Sequence, residues 1–373
     1  MSTCFRQDRI SAAHVMVIGC GALGNEVLKN LVLMGVTHIT AVDFDIVEIG
    51  NLTRSILFSK QDAEKRRFKV DVVAERLRQI NPNIEIKTIC GDIAYDVGLG
   101  LIKKMDVIIG CVDSRWTRYC INRLSMRAGI PWVDGGIDGL EGTARVFIPG
   151  KNCYACNLGP EGLKELRRRM PCHGIIRRQE AAGSAPTTSI VASIIGAIQV
   201  QEALKLVDED FVGTSLCGRM FYFEGEYMTV RTADYQAYDE DCPEHELWAP
   251  TRKTEVDINM PVEEALARWR EELGATEVTL GLTNDCFVDY VARRDNDERT
   301  VVMLPGRKVE EYLERDSTLR GLQTNVFYQH EYRNIDTDFP YPDQTLTQLG
   351  IPKEDILHVI ANGLDYYLEL SDR

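Results

Sequence analysis

Along the first half of the chain, short unbroken apolar runs alternate with segments whose apolar residues recur every three or four positions. Residues 15–18 are an apolar run that stops at a glycine-rich turn, and residues 25–34 then carry helical spacing. That is strand, turn, helix. His38–Val42 is the next strand, and further strands are expected at 84–89, 107–111, 132–134 and 144–148, with helices at 68–79 and 117–128. Apolar runs long enough to be buried on both faces, separated by helices, predict an α/β fold built on a Rossmann-like, mostly parallel sheet covered on both sides.

The pattern changes at residue 151. From 151 to 185 periodicity is lost and Gly, Pro, Cys and Arg accumulate, and residues 188–207 then form a long apolar helix. Its most apolar part is broken by Ser193 and Gln199, short of the roughly 18 apolar residues that a membrane span needs, so a packing or interface helix is expected. The acidic, proline-bearing stretch 239–260 reads as a linker. Beyond it the pattern predicts a helix at 262–273, strands at 277–282, 287–292 and 300–304, a helix at 309–314, a strand at 327–334, and strands at 356–360 and 366–370 joined across Asn362-Gly363. The expected division is a domain of residues 1–255 carrying an insertion at 157–184, and an α+β domain of residues 256–373.

Composition narrows the classes. The chain has 373 residues, 44% of them hydrophobic, and a formal charge of −14. That is a globular composition, and its sign makes nucleic acid or an anionic membrane an unfavourable partner. Eleven cysteines are too few for a disulfide scaffold of this length, and the first residues lack the apolar segment of a secretory signal. A reducing, cytoplasmic setting is expected, with cysteines that are buried, metal-bound or catalytic.

Candidate chemistry begins at Gly19-Cys20-Gly21-Ala22-Leu23-Gly24, between a strand and a helix, where backbone N–H groups and the positive helix end can hold phosphate. Asp43 closes the following strand 19 residues after Gly24, placed to accept from a ribose hydroxyl. By itself the glycine fingerprint favours NAD. Asp43-Phe44-Asp45, Asn51-Leu52-Thr53-Arg54, Lys69 at the head of a helix and Val112-Asp113-Ser114 at the end of a strand point elsewhere, because hydride transfer has no need of them. Cations, an amide and carboxylates at the ends of parallel strands suit a triphosphate with magnesium, with Arg54 and Lys69 neutralising phosphate oxygens and Asp113 holding the metal.

With those residues in place, the sequence resembles the superfamily of adenylating enzymes that activates ubiquitin-like proteins and includes the sulfur-carrier activators MoeB and ThiF. The motifs stand as GCGALG, VDFDIVEIGNLTR, RFKVDVVAERL, CVDSRWTRYCIN and WVDGGIDGLEGTARVFIPGKNCYAC, over about residues 15–206. The resemblance implies that ATP adenylates the C-terminal carboxylate of a small β-grasp protein and releases pyrophosphate. It places Asp43 on the ribose, Asn51, Arg54 and Lys69 on the phosphates, and Asp113 on magnesium, with Lys65, Arg66 and Arg67 as neighbours competing for the role of Lys69.

Two further clusters extend that expectation. Cys153-x2-Cys156 and Cys242-x2-His245 offer four donors in spacings suited to a closed tetrahedral zinc site; relatives place four cysteines there, so His245 is a departure. Cys172 lies among Lys164, Arg167, Arg168, Arg169, Arg177 and Arg178, cations that favour a thiolate. Met170-Pro171-Cys172 resembles the Pro-Cys region that holds the thioester cysteine of conjugation-type activators, and Ser184–Thr188 resembles the Pro-Thr-Thr stretch of compact homodimeric ones. The C-terminal residues resemble the end of the ubiquitin-fold domain with which such activators recruit a conjugating enzyme. The expected protein is the catalytic type of the NEDD-type and SUMO-type activators: adenylation, a thioester on Cys172, then transfer to a ubiquitin-conjugating-type enzyme. The alternatives are a sulfur-carrier adenylyltransferase without a thioester, a non-catalytic half of a heterodimer, or an NAD oxidoreductase. A homodimer or a heterodimer with a related subunit is expected, and Arg6 or Arg9 is a candidate to reach a neighbour's ATP.

Overall fold

In the computed structural model, which describes residues 5–169, 187–235, 238–281, 287–294, 297–303 and 323–371, the apolar runs become the middle of a sheet. After a short helix α1 (Gln7–Ala12) come β1 (His14–Ile18), α2 (Ala22–Leu33) and β2 (His38–Val42). Then follow α3 (Lys60–Glu64), α4 (Lys69–Ile80), β3 (Glu85–Ile89), α5 (Leu99–Ile102), β4 (Val107–Gly110) and α6 (Arg115–Ala128). The remaining elements before residue 248 are β5 (Trp132–Asp138), β6 (Glu141–Phe147), α7 (Gly159–Arg169), α8 (Ser189–Val207), β7 (Arg219–Glu224) and β8 (Thr229–Asp234). Among the described residues the strands form an eight-stranded sheet in the order β3-β2-β1-β4-β5-β6-β7-β8. The pairings from β3 to β5 are parallel and those from β5 to β8 antiparallel, giving the doubly wound α/β fold expected.

Burial explains the order. β1, β2 and β4 have nearly every residue buried and occupy the centre, which is where an apolar run without polar alternation has to sit. α8 is apolar on all sides and packs between α2 and strands β4, β5 and β6. By length and composition it is also the described helix apolar enough to cross a membrane; half of that window is buried inside the protein. Two polar residues on it are buried and bonded: the Gln199 amide donates to the carbonyls of Gly110 (2.8 Å) and Val133 (3.4 Å), and Glu202 accepts from the Leu216 N–H (2.7 Å). Gly135 makes room for α8 on the sheet, since a Cβ there would lie 2.4 Å from the Gln199 amide.

The structure departs from the expected elements in several places. α1 and the hairpin β7–β8 are not among the expected elements: α1 has six residues with Ile10 alone buried, β7 does carry an apolar run at 220–223, and every residue of β8 is exposed, so no alternation marks it. Part of the aperiodic stretch after residue 151 is helix α7. The expected linker contains a strand, β9 (Thr251–Asp257), whose inward positions are only Thr254 and Val256.

A second unit runs chiefly from Trp248 onward, while the first holds most of the residues up to 247. After β9 come α9 (Val262–Leu273), β10 (Val278–Gly281), β11 (Phe287–Arg294), β12 (Asp297–Met303), β13 (Gln323–Tyr332), β14 (Asn334–Ile335), β15 (Ile356–Ala361) and β16 (Leu364–Ser371). One sheet has the order β14-β10-β15-β16-β9, with β9 parallel to β16, and a second has β12-β11-β13. α9 buries Val262, Ala265, Leu266 and Trp269, one helical stripe, in this unit's core. Its Trp269 indole donates to the Thr254 hydroxyl at 3.1 Å. Asn362 and Gly363 both take positive φ between β15 and β16, as an Asn-Gly hairpin turn requires. The expected helix at 309–314 lies outside the described residues.

Candidate active site

The glycine turn follows β1 directly. Gly19 has φ +92°, its N–H donates to the Val42 carbonyl at 2.8 Å, and a Cβ there would lie 2.4 Å from the Cys111 carbonyl oxygen. Gly24 lets the first turn of α2 rest on that turn, since a Cβ would come within 1.9 Å of the Gly19 carbonyl oxygen. Gly21 is different. It has ordinary negative φ, and a Cβ on it would meet nothing within 4 Å. Open space therefore faces the start of α2, where the first N–H groups lack intrahelical acceptors and the helix end is positive. An anion fits there.

Asp43 at the end of β2 anchors this turn. Its carboxylate accepts from the Cys20 N–H and the Asp45 N–H, both at 2.7 Å. Burial pushes the Asp43 carboxyl up, against the pull of Lys69 and those two N–H groups. Lys69, 8% exposed, opens α4 and donates to Asp45 at 2.9 Å. Burial alone would lower its ammonium, but Asp43 and Asp45 reverse the shift and hold it charged. Of the neighbouring cations, Arg67 is directed elsewhere, donating to Asp62 and Glu75 at 2.9 Å each. The structure thus gathers Asp43, Asp45 and Lys69 beside the glycine turn.

Asn51 and Arg54 lie on and just after a 3₁₀ turn, Ile49–Thr53. The Asn51 side-chain oxygen Oδ1 accepts from the Glu48 N–H (2.9 Å), and Arg54 donates to the Gly50 carbonyl (2.9 Å). This segment is tied to the glycine turn by Asn25, fully buried on α2. Its amide donates to the carbonyls of Cys20 (2.8 Å) and Gly21 (3.0 Å) and accepts from the Leu57 N–H (2.8 Å). Asp113 is exposed just past β4, where the Cys111 N–H donates to the Ile18 carbonyl (2.8 Å) and Ser114 caps α6 through the Thr117 N–H. The thiols here are poor nucleophiles, because burial pushes Cys20 and Cys111 well up.

Cys153, Cys156, Cys242 and His245 come together from two distant segments, their ligand atoms all within 4.8 Å of one another. The Cys153 sulfur lies 3.6 Å from that of Cys156 and 3.8 Å from that of Cys242, and Cys156 lies 3.1 Å from His245 Nε2. Four ligands around zinc at ~2.3 Å put neighbouring sulfurs ~3.8 Å apart, so the cluster has the size of a closed tetrahedral site. Partial burial lowers the His245 imidazole, which favours the neutral form that ligates. Its ring stacks on Tyr238, centroids 4.4 Å apart. Helix α6 grips both halves: Asn122 accepts from the Tyr154 N–H at 2.9 Å, and the Tyr119 hydroxyl bonds Glu244.

A buried ionic cluster escaped the sequence reading. Asp134 on β5 is fully buried and accepts from Arg118 Nε (2.9 Å) and from Arg145 Nε (2.9 Å), its cross-strand partner on β6. Burial by itself would lower the Arg145 guanidinium, but Asp134, together with Tyr235 and Tyr154, outweighs it and raises it. The available signal was a carboxylate ending a strand, as at Asp43; the arginines become legible only with the register.

Arg6 and Arg9 are engaged within their own chain. Arg6 pairs with Asp8 (2.8 Å) and Asp210 (3.1 Å), and Arg9 with Asp210 (3.0 Å) and Glu209 (3.5 Å). Cys172 lies outside the described residues.

A profile of the ThiF family matches residues 5–244. The chain is 29% identical over 237 residues to the SAMP-activating enzyme E1 of Haloferax volcanii, covering 64% of this chain and 82% of that one. It is 30% identical over 227 residues to the molybdopterin-synthase adenylyltransferase of Haemophilus influenzae, covering 60% and 86%. Among solved structures, E. coli MccB crystallised with ATP superposes with a TM-score of 0.51 at 21% identity, covering 64% of this chain and 68% of that chain; this likeness concerns the fold.

Proposed function

The chain belongs to the ThiF family, and from that premise we propose that it uses ATP and magnesium to adenylate the C-terminal carboxylate of a ubiquitin-like or sulfur-carrier protein. The observation that carries this reading is the gathering of Asp43, Asp45 and the buried, charged Lys69 beside the glycine turn, with open space at Gly21. Each Asp43 oxygen accepts one backbone N–H and keeps a lone pair for a ribose hydroxyl. Lys69 turns from Asp45 toward a phosphate, joined by Arg54 and Asn51, and Asp113 would hold magnesium. Bound magnesium neutralises the triphosphate and the departing pyrophosphate. Relatives named as an E1 and as an adenylyltransferase support this chemistry.

The finer reading is conjugation. Adenylate formation is followed by attack of the Cys172 thiolate on the acyl carbon, releasing AMP, and the thioester passes to a ubiquitin-conjugating-type enzyme recruited by residues 256–373 as a ubiquitin-fold-like domain. The family match ends at residue 244, while the residues beyond it carry a core of their own, as a recruiting domain requires. Zinc held by Cys153, Cys156, Cys242 and His245 clamps the fold. The assembly is a homodimer or a heterodimer with a related subunit, working in the cytoplasm.

The test is ATP–pyrophosphate exchange with candidate β-grasp proteins ending in glycine, followed by a non-reducing gel. Exchange dependent on the protein substrate is expected, with an adduct that thiol and Cys172→Ala remove. Absence of exchange defeats the adenylation reading. Exchange without an adduct selects the sulfur-carrier reading instead.

A further inference from the structure

We propose that Arg118 is a positioning residue that holds the turn carrying Asp113 in place, by tying that turn to Asp134 and Gly135 in the middle of β5. The inference rests on the adenylation reading, in which Asp113 binds magnesium. Its basis is three contacts made by one guanidinium. Nε donates to Asp134 at 2.9 Å, while NH2 donates to the Val112 carbonyl at 2.6 Å and to the Gly135 carbonyl at 3.0 Å. Val112 is the residue immediately before Asp113. The turn between β4 and α6 is thus fixed from both sides: at Cys111 through its N–H to Ile18 on β1, and at Val112 through its carbonyl to Arg118.

The chemistry suits arginine. Its planar fork reaches a carboxylate and two carbonyls at set angles, which the point charge of lysine does not reproduce. The Arg118 side chain is only 12% exposed, and the Asp134 that orients it is fully buried and braced from its other side by Arg145. With these donors committed to protein acceptors, Arg118 acts on the nucleotide through the backbone of Val112 and Asp113. The same helix bonds the four-ligand cluster through Tyr119 and Asn122, so α6 has a fixed seat from which the arginine works.

The experiment is titration calorimetry of ATP on the full chain, with magnesium and with EDTA, for wild type, Arg118→Gln, Arg118→Lys, Asp113→Asn and the double variant Asp113→Asn/Arg118→Gln. Wild type is expected to bind ATP more tightly with magnesium. Arg118→Gln should lose roughly tenfold of that gain, the range for partners that orient a metal ligand, while metal-free ATP affinity stays within about twofold, as for a group that does not touch the nucleotide. Asp113→Asn should lose the same gain, and the double variant no more than either single one. If Arg118→Gln melts far below wild type, Arg118→Lys, which keeps the charge opposite Asp134, carries the test, with the electron paramagnetic spectrum of bound manganese–ATP as a second readout expected to change. Full retention of the magnesium gain in the Arg118 variants, or losses that multiply in the double variant, overturns the proposal. A wild type that shows no magnesium-dependent ATP binding overturns the nucleotide reading itself and the proposal with it, a result separate from one in which wild type responds and Arg118 is irrelevant.

Discussion

Gly21 and Gly24 sit three residues apart on the same turn, yet alanine at each should fail in opposite ways. At Gly24 the new Cβ lies 1.9 Å from the Gly19 carbonyl oxygen, so α2 must back away by about 1.5 Å to reach ordinary contact. Overpacking of that kind costs about 1–3 kcal/mol, which for a unit of this size lowers the melting temperature by roughly 2–10 °C. At Gly21 the Cβ meets nothing within 4 Å and φ is negative, so only the loss of glycine at the helix N-cap remains, about 1 kcal/mol or less. The methyl does fill the space assigned to phosphate. Gly21→Ala should therefore melt near wild type and bind magnesium–ATP at least about tenfold more weakly, because close backbone approach to the phosphates is lost. Gly24→Ala should lose stability first. Calorimetric melts and ATP titrations on both variants decide the matter. A Gly21→Ala protein that binds magnesium–ATP like wild type would refute the assignment of that space.

Two further outcomes follow from the same structure. Cys156→Ser should lose a bound equivalent of zinc, measured with a chromogenic chelator, and melt on the order of 10 °C lower, since metal binding that bridges segments 89 residues apart is folding free energy; equal metal content in both proteins would remove the tetrahedral assignment. Asp62, buried on α3, is held below the usual carboxylate range: burial would raise it, but Ser59, Arg67 and Arg76 outweigh that. A depressed carboxyl stabilises the fold above its unfolded value near 3.8 and loses that contribution as pH falls through its folded value. Asp62→Asn should accordingly melt several degrees below wild type at pH 7, with the gap narrowing below about pH 3.8. A gap constant from pH 7 to pH 3 would contradict the pairing.

How much of the fold is legible in the sequence depends on range. β1, β2 and β4 were legible because central strands need apolar residues on both faces, and their runs say so locally. Asp43 and Lys69 were legible because each sits at the end of an element in a short motif. β8 left no trace, since a strand exposed on both faces has no period-two signal, and β9 left almost none, with Thr254 and Val256 as its inward positions. Asn25 and Gln199 looked like ordinary helix residues. Their role as buried ties depends on which carbonyls the packing brings near them.

The sequence by itself determined the order of strand, glycine turn and helix, the ionic residues at strand ends, and the two half-sites Cys153-x2-Cys156 and Cys242-x2-His245, because each is set within a few residues. Only the tertiary structure joined those half-sites, chose Lys69 over Arg67 as the partner of Asp45, and put Arg118, Asp134 and Arg145 in one cluster. These are contacts between residues brought together by strand register and helix packing. Side-chain spacing along the chain carries no information about them until the sheet has closed.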